Sequence, residues 1–248
     1  MKTTIVWILA IVLCLSVFAL AGCSSSEPAE TEAPTETETP IETGEPSGPI
    51  SGGWNVSTDP ASPVIPDEAK AAFDAATAGL MGVGYEPIGY LGSQVVAGTN
   101  YGFICRATTI TGTPETKLCV MKVFRNLEGE SEVLDIRDIS IADYTTESDP
   151  DFAPALAGGW SIPSDLESAE LPENVQKAFD TAFADFSGVG YHPIAYLGSQ
   201  LVAGSNYAVL CNAIQVAPEQ PSALAVVVIY ADLEGSASVR SIAGFDFP

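Results

Sequence analysis

The sequence predicts an α+β protein built twice over: two domains, each an antiparallel β-sheet wrapped on one α-helix, behind a leader and a tether. Three observations carry that prediction. One octet is spelled twice, QVVAGTNY from Gln94 and QLVAGSNY from Gln200, an offset of 106 residues. Each copy holds a single stretch whose apolar residues recur at helical spacing. After it come segments that alternate with a period of two, divided by Gly, Asn and Asp turns.

Composition bounds the rest. Of 248 residues, 46% are hydrophobic, enough to build a core. Nine Lys and Arg stand against 32 Asp and Glu, a formal charge of −23. That balance excludes nucleic acid as a partner and excludes electrostatic adhesion to anionic lipid, since both need clustered cations.

The leader spans residues 1–22. Lys2 precedes an apolar run from Ile5 to Leu20, and Leu20-Ala21-Gly22-Cys23 closes it. This resembles a bacterial lipoprotein signal peptide, with small residues at the cleavage site. The run is short for a membrane-spanning helix. The resemblance implies that Cys23 becomes the mature N-terminus and carries a lipid, leaving the rest on the bacterial cell surface, held to the membrane and facing outward. Residues 23–51 are Ser, Thr, Pro, Gly and Glu with no Lys or Arg. Such a stretch cannot bury enough apolar surface to offset its ordering entropy, so it reads as a disordered acidic tether.

The 106-residue offset then maps the remainder onto itself without a gap. Gly53-Trp54 falls on Gly159-Trp160, Pro66 on Pro172 and Phe73-Asp74 on Phe179-Asp180. Gly82 to Tyr85 falls on Gly188 to Tyr191, Cys105 on Cys211, and Leu127-Glu128-Gly129 on Leu233-Glu234-Gly235. Domain 1 is residues 52–145, a linker covers 146–157, and domain 2 is 158–248. The period is too long for a solenoid and suits a tandem domain of about 90 to 100 residues.

In the second copy Pro172 is expected at the first helical position with Glu173 in the first turn. Val175, Phe179, Phe183 and Phe186 then share a face. The first copy repeats the pattern more weakly with Ala69, Phe73, Thr77 and Leu80, which makes domain 1 the less stable. Tyr101, Phe103, Cys105 and Ala107 alternate with Gly102, Ile104, Arg106 and Thr108, a strand. Further strands are expected over Lys117–Arg125 and Glu132–Ile141, with copies over Leu224–Ala231 and Ser238–Phe247. On the even positions of the second copy stand Leu210, Val226, Val228 and Tyr230. A solvent-facing sheet is polar there, so this face is expected to be covered by the first domain or by another chain.

Between two β-type stretches, Val95, Val96, Ala97 and Gly98 form a hairpin tip, as do Leu201, Val202, Ala203 and Gly204. Exposed tips are normally polar. An apolar tip present twice is either a surface built to enter something or a bulge required by strand geometry. A second turn lies at Leu127-Glu128-Gly129 and again at Leu233-Glu234-Gly235. Gly52-Gly53, repeated as Gly158-Gly159, precedes each domain; on its own a Gly-Gly pair is a flexible joint, and the Trp that follows is a core anchor.

The octet, the glycine pair and the second turn, in that order and twice, resemble the signature of the cystatins, protein inhibitors of papain-like cysteine proteases. Lys122-Val123-Phe124 with Leu127-Glu128-Gly129 is similar to the stefin branch. The resemblance covers most of each repeat. It implies cystatin-like domains in which an N-terminal trunk and two hairpin tips fill the protease cleft and block its catalytic cysteine. The contact set it implies is Gly52, Gly53, Gln94, Val95, Val96, Ala97, Gly98, Leu127, Glu128 and Gly129. In the second copy it is Gly158, Gly159, Gln200, Leu201, Val202, Ala203, Gly204, Leu233, Glu234 and Gly235. Glu128 and Glu234 stand where the stefin branch has proline. A charge at a buried tip costs desolvation, which implies weaker inhibition or a different target enzyme. A module that keeps the scaffold but only binds is the alternative.

No enzyme chemistry is expected. His192 is the one histidine, beside a proline in a strand, and no motif pairs it with a nucleophile. No C-x-x-C spacing offers a metal site, and Gly82-Val83-Gly84 lacks the rest of a phosphate-cradling pattern. Neither cofactor nor small-molecule substrate is implied. Cys105 and Cys119 fall on adjoining strands with the same parity; they admit either a disulfide in an oxidising exterior or two reduced core thiols. Cys211 meets Ala225 in the copy, so no bridge forms there.

Overall fold

The structure, a computed structural model, describes residues 53–56, 64–145, 159–164, 171–218 and 221–247. The leader, Cys23, the tether, Gly52, the linker and Gly158 lie outside the described residues.

Helices α1 (Asp67–Thr77) and α2 (Glu173–Phe183) each begin directly after a proline. Pro66 and Pro172 stand one residue ahead of the first helical position. Their carbonyls accept the amides of Lys70 at 2.9 Å and Gln176 at 2.8 Å. Asp67, Glu68 and Glu173 in the first turns complement the helix dipole. Both helices stop one turn before the apolar spacing does. Leu80 and Phe186 belong to the turns that follow, where their amides bond back to Thr77 and Phe183 at 3.0 Å. The two side chains are about half exposed, at 42% and 47%.

Two antiparallel sheets follow. The first runs in the order β1 (Trp54–Asn55), β2 (Val83–Val96), β3 (Gly98–Thr109), β4 (Thr116–Arg125), β5 (Ser131–Ile139). A single 3-10 turn, Ile141–Tyr144, closes that repeat. The second sheet runs β6 (Val189–Val202), β7 (Gly204–Gln215), β8 (Ser222–Ala231), β9 (Ala237–Gly244). Where β1 stands in the first, a single bridge joins Ser161 to Ser199 in the second. β2 and β6 run 14 residues each, because the glycine-rich strings after the helices are already strand.

Each sheet is apolar on both faces, and period-two alternation sorts the side chains. In the first repeat Tyr101, Phe103, Cys105, Cys119, Met121 and Val123 meet Ala69, Ala72 and Phe73 of α1. In the second, Val209, Cys211, Val227 and Ile229 meet Val175, Ala178 and Phe179 of α2. The alternate positions form one larger cluster that belongs to both repeats. It joins Ile88, Leu91, Ile104, Leu118 and Val120 to Ile194, Leu197, Leu210, Val226 and Val228. The layers therefore run helix, sheet, sheet, helix.

This corrects the expected class. The described chain is mostly β: nine strands in two antiparallel sheets, with two eleven-residue helices. An α+β domain whose sheet wraps its own helix does not describe it. The physical reason is that each helix covers one face of its sheet, while the largest shared core lies between the sheets. Leu210, Val226 and Val228 are essentially inaccessible there, at 1% exposure or less, whereas Tyr230 is only half-buried.

Polar ties cross the same boundary. Arg106, 3% exposed, places one guanidinium nitrogen 2.8 Å from a Glu86 carboxylate oxygen and donates from another to the Pro163 carbonyl at 2.7 Å. Arg137 donates to the Asp246 carbonyl at 2.9 Å, and Ser241 Oγ to the Tyr144 carbonyl at 3.3 Å.

Candidate functional site

The strand register brings the three expected elements to one end of each sheet. In β2–β3, Gln94 is opposite Asn100, Val95 opposite Thr99 and Val96 opposite Gly98, so Ala97 alone is the apex. β1 lies against the same end of β2, with Trp54 opposite Gln94 and Asn55 opposite Ser93. On the other side Thr99 is opposite Arg125, so the turn after β4 stands beside the apex. Trunk, first tip and second turn thus form a row along one end of the sheet, from β1 through the β2–β3 tip to the β4–β5 turn. The second repeat reproduces the row through Ser161–Ser199, Val202–Gly204 and the turn after Ala231.

The octet is a self-locking hairpin, which explains its polar letters. Asn100 Nδ2 donates to Gln94 Oε1 at 2.8 Å, and Asn206 Nδ2 to Gln200 Oε1 at 2.9 Å. Asn206 and Gln200 are buried, 2% and 8% exposed, so each offsets the other's desolvation. Gly98 and Gly204 adopt φ of +133° and +127°, a backbone region that L side chains rarely enter. A Cβ at Gly98 would overlap the Arg125 carbonyl oxygen, and one at Gly204 the Ala231 carbonyl oxygen. First tip and second turn are in direct backbone contact because these residues are glycines. Gly92 acts likewise for the trunk: a Cβ there would sit 2.6 Å from the Asn55 carbonyl oxygen.

The second turns are closed by their first residues. Asn126 N donates to the Glu130 carbonyl at 2.9 Å, and its Oδ1 accepts Glu130 N at 2.8 Å. Asp232 Oδ1 accepts the amides of Glu234 at 3.0 Å and Ser236 at 2.8 Å.

What these locks hold out is apolar. Leu127 and Leu233 are 82% and 85% exposed, and Leu201 75%. Val95 and Val96 are about 40% exposed, and Ala97 and Ala203 are exposed at the apices. Val202 is half-buried, as is Gln94. Gly53, Gly159, Glu128, Gly129, Glu234 and Gly235 are exposed, whereas Gly98, Gly204 and Gln200 are buried in the framework that shapes the tips.

The two ends are not equal. Tyr230 Oη donates to the apex carbonyl of Ala203 at 2.6 Å, with the Arg240 guanidinium 4.6 Å from the Tyr230 ring centre. Position 124 in the first repeat is Phe, which has no hydroxyl to give. The Gln–Asn lock and the tyrosine anchor were missed in the sequence; the only signal was that Gln and Asn recur six residues apart around each tip.

Cys105 and Cys119 are direct register partners and are two free, buried thiols. Burial and the neighbouring Cys119 push the Cys105 thiol well above the usual range. Cys211 is buried alone, and burial pushes it up strongly. No group of three or more metal-ligating side chains occurs among the described residues. Comparison with known proteins finds no family model that matches the chain and no matching curated relative.

Proposed function

We propose that the chain is an inhibitor of papain-like cysteine proteases that inserts trunk, hairpin tip and second turn into the enzyme's groove. The observation that carries this reading is the row of exposed Leu127, Val95, Val96 and Ala97 at one sheet end, next to Gly53, matched by Leu233, Leu201 and Ala203 beside Gly159. Small apical residues let backbone approach the walls of a cleft. The Gln–Asn locks and the closed turns preorganise the tips, so little ordering entropy is lost on binding. The resemblance of the octet and glycine pair to the cystatin signature supports this target class. The chain then acts by occupying a site and performs no chemistry of its own. The lipobox-like Leu20–Cys23 supports a lipid on Cys23 and a place on the outer surface of a bacterial membrane.

The test is a titration of papain with the full chain, its Gly98→Trp and Gly204→Trp variants, and the double variant. Each single variant is expected to remove one plug and the double variant all inhibition. Inhibition unaffected in the double variant removes the mechanism. A second reading, a surface module that binds without inhibiting, is favoured by exposed Glu128 and Glu234 at the second turns. Under that reading papain keeps full activity at every concentration.

A further inference from the structure

We propose that the C-terminal segment of the second repeat completes the trunk of the first, with Phe247 as the positioning residue that holds Trp54, and through it Gly53, beside the first hairpin tip. This rests on the reading of the trunk as part of a plug. β1 is two residues long, and a ladder that short does not hold a chain in place by itself. The Trp54 ring instead meets the Phe247 ring edge-on, with centroids 4.4 Å apart and planes at 72°. Lys122 Nζ lies 5.4 Å from the same Trp54 ring.

The Phe247 ring sits over Gly102 of β3. A Cβ at position 102 would overlap its Cζ. The counterpart of Gly102 in the second repeat is Ala208, so glycine occurs only where the ring lands. The exchange is mutual in outline. The counterpart of Phe247 is Ile141, whose Cδ1 lies 3.0 Å from the Cβ position of Gly198. Gly198 in turn lies against the Ser161 carbonyl, the residue that bridges the second trunk to β6. Each repeat sends the segment after its last strand to the trunk site of the other. One delivers an aromatic ring to a tryptophan; the other delivers an isoleucine. Neither plug is complete within its own repeat, and a change at Phe247 is felt by the first alone.

Hydrogen–deuterium exchange on the full chain tests this. Phe247→Ala is expected to raise exchange at residues 54–56 by about fivefold, the scale of one lost aromatic pair. Residues 160–162 are expected to stay unchanged, and Phe247→Tyr to restore protection. Gly102→Ala is expected to raise exchange at the same residues while keeping the phenylalanine, because it displaces the ring. In a background that blocks the second end at two exposed positions, Leu201→Asp with Leu233→Asp, Phe247→Ala is expected to raise the Ki for papain and Phe247→Tyr to recover it. Unchanged exchange at 54–56 in both Phe247→Ala and Gly102→Ala overturns the proposal, as does an equal rise at 160–162. If exchange responds as expected but the wild-type chain inhibits no papain-like enzyme, the clamp stands and the plug reading falls.

Discussion

Replacing Gly98 by alanine tests whether the first tip is shaped by its contact with the second turn. Gly98 has φ +133°, and an added Cβ would overlap the Arg125 carbonyl oxygen and lie 2.7 Å from Phe124 Cε2. A non-glycine residue in such a conformation costs about 1–3 kcal/mol. Moving the carbonyl that precedes the turn adds to it, for a total of about 2–4 kcal/mol. At about 2–4 °C per kcal/mol for a folded part of this size, the Tm falls by about 5–15 °C. Gly82→Ala is the control. It has φ +88° but nothing within 4 Å of the added Cβ, so it carries only the conformational cost of about 1–2 kcal/mol. Differential scanning calorimetry of both variants measures the difference. If Gly98→Ala is no more costly than Gly82→Ala, the tip is not pressed against its neighbour and the reasoning is wrong.

Four further outcomes follow from other contacts. Tyr230→Phe removes a 2.6 Å hydrogen bond to the Ala203 carbonyl. At about 0.5–1.5 kcal/mol for a neutral bond, the second end's Ki should rise by about threefold to tenfold, while Phe124→Tyr tightens the first; equal Ki values sink the asymmetry. Leu210→Ala should cost about 2–5 kcal/mol in chemical denaturation, because it opens the core between the sheets. Leu201→Ala, at a site 75% exposed, should cost less than about 0.5 kcal/mol yet weaken binding at the second end. Burial raises the Cys211 thiol above its ordinary 9.0, so the folded chain holds that proton more tightly than the unfolded one. The stability it contributes is full below pH 9 and is lost as pH rises through the raised value, at about 1.4 kcal/mol per pH unit. Denaturation curves from pH 8 to about pH 11 should show Cys211→Ala falling less steeply than wild type.

Much of this organisation was legible because it is local. The turn residues at Leu127–Gly129 and the alternation through Tyr101–Ala107 are properties of neighbouring residues, which the 106-residue offset repeats, and turn and strand both stand in the structure. The apolar even positions of the second copy, Leu210, Val226 and Val228, signalled a covered face before any cover was visible. The fold class is less legible, because one helix per repeat points to helix–sheet packing, whereas the weight of a sheet–sheet core depends on how two distant segments meet. Helix ends were misplaced for a related reason. Leu80 and Phe186 keep the apolar spacing, yet the backbone has already turned at Thr77 and Phe183. Glycine strings such as Gly82–Gly84 carry no alternating strand signal, yet Gly84 lies within β2. At the site, the tip residues were legible from composition, whereas the Gln94–Asn100 lock, the Tyr230 anchor and the Phe247 contact join residues that no local pattern pairs.

The central claim is that trunk, tip and second turn act together on a protease. Hydrogen exchange of the full chain, with and without an excess of inactivated papain, tests it most directly. The account predicts that protection is gained at residues 53–55, 95–98 and 127–129, with the matching segments 159–161, 201–204 and 233–235, and nowhere along β5 or β9. Protection that appears on those edge strands instead, or no change in any segment, contradicts it.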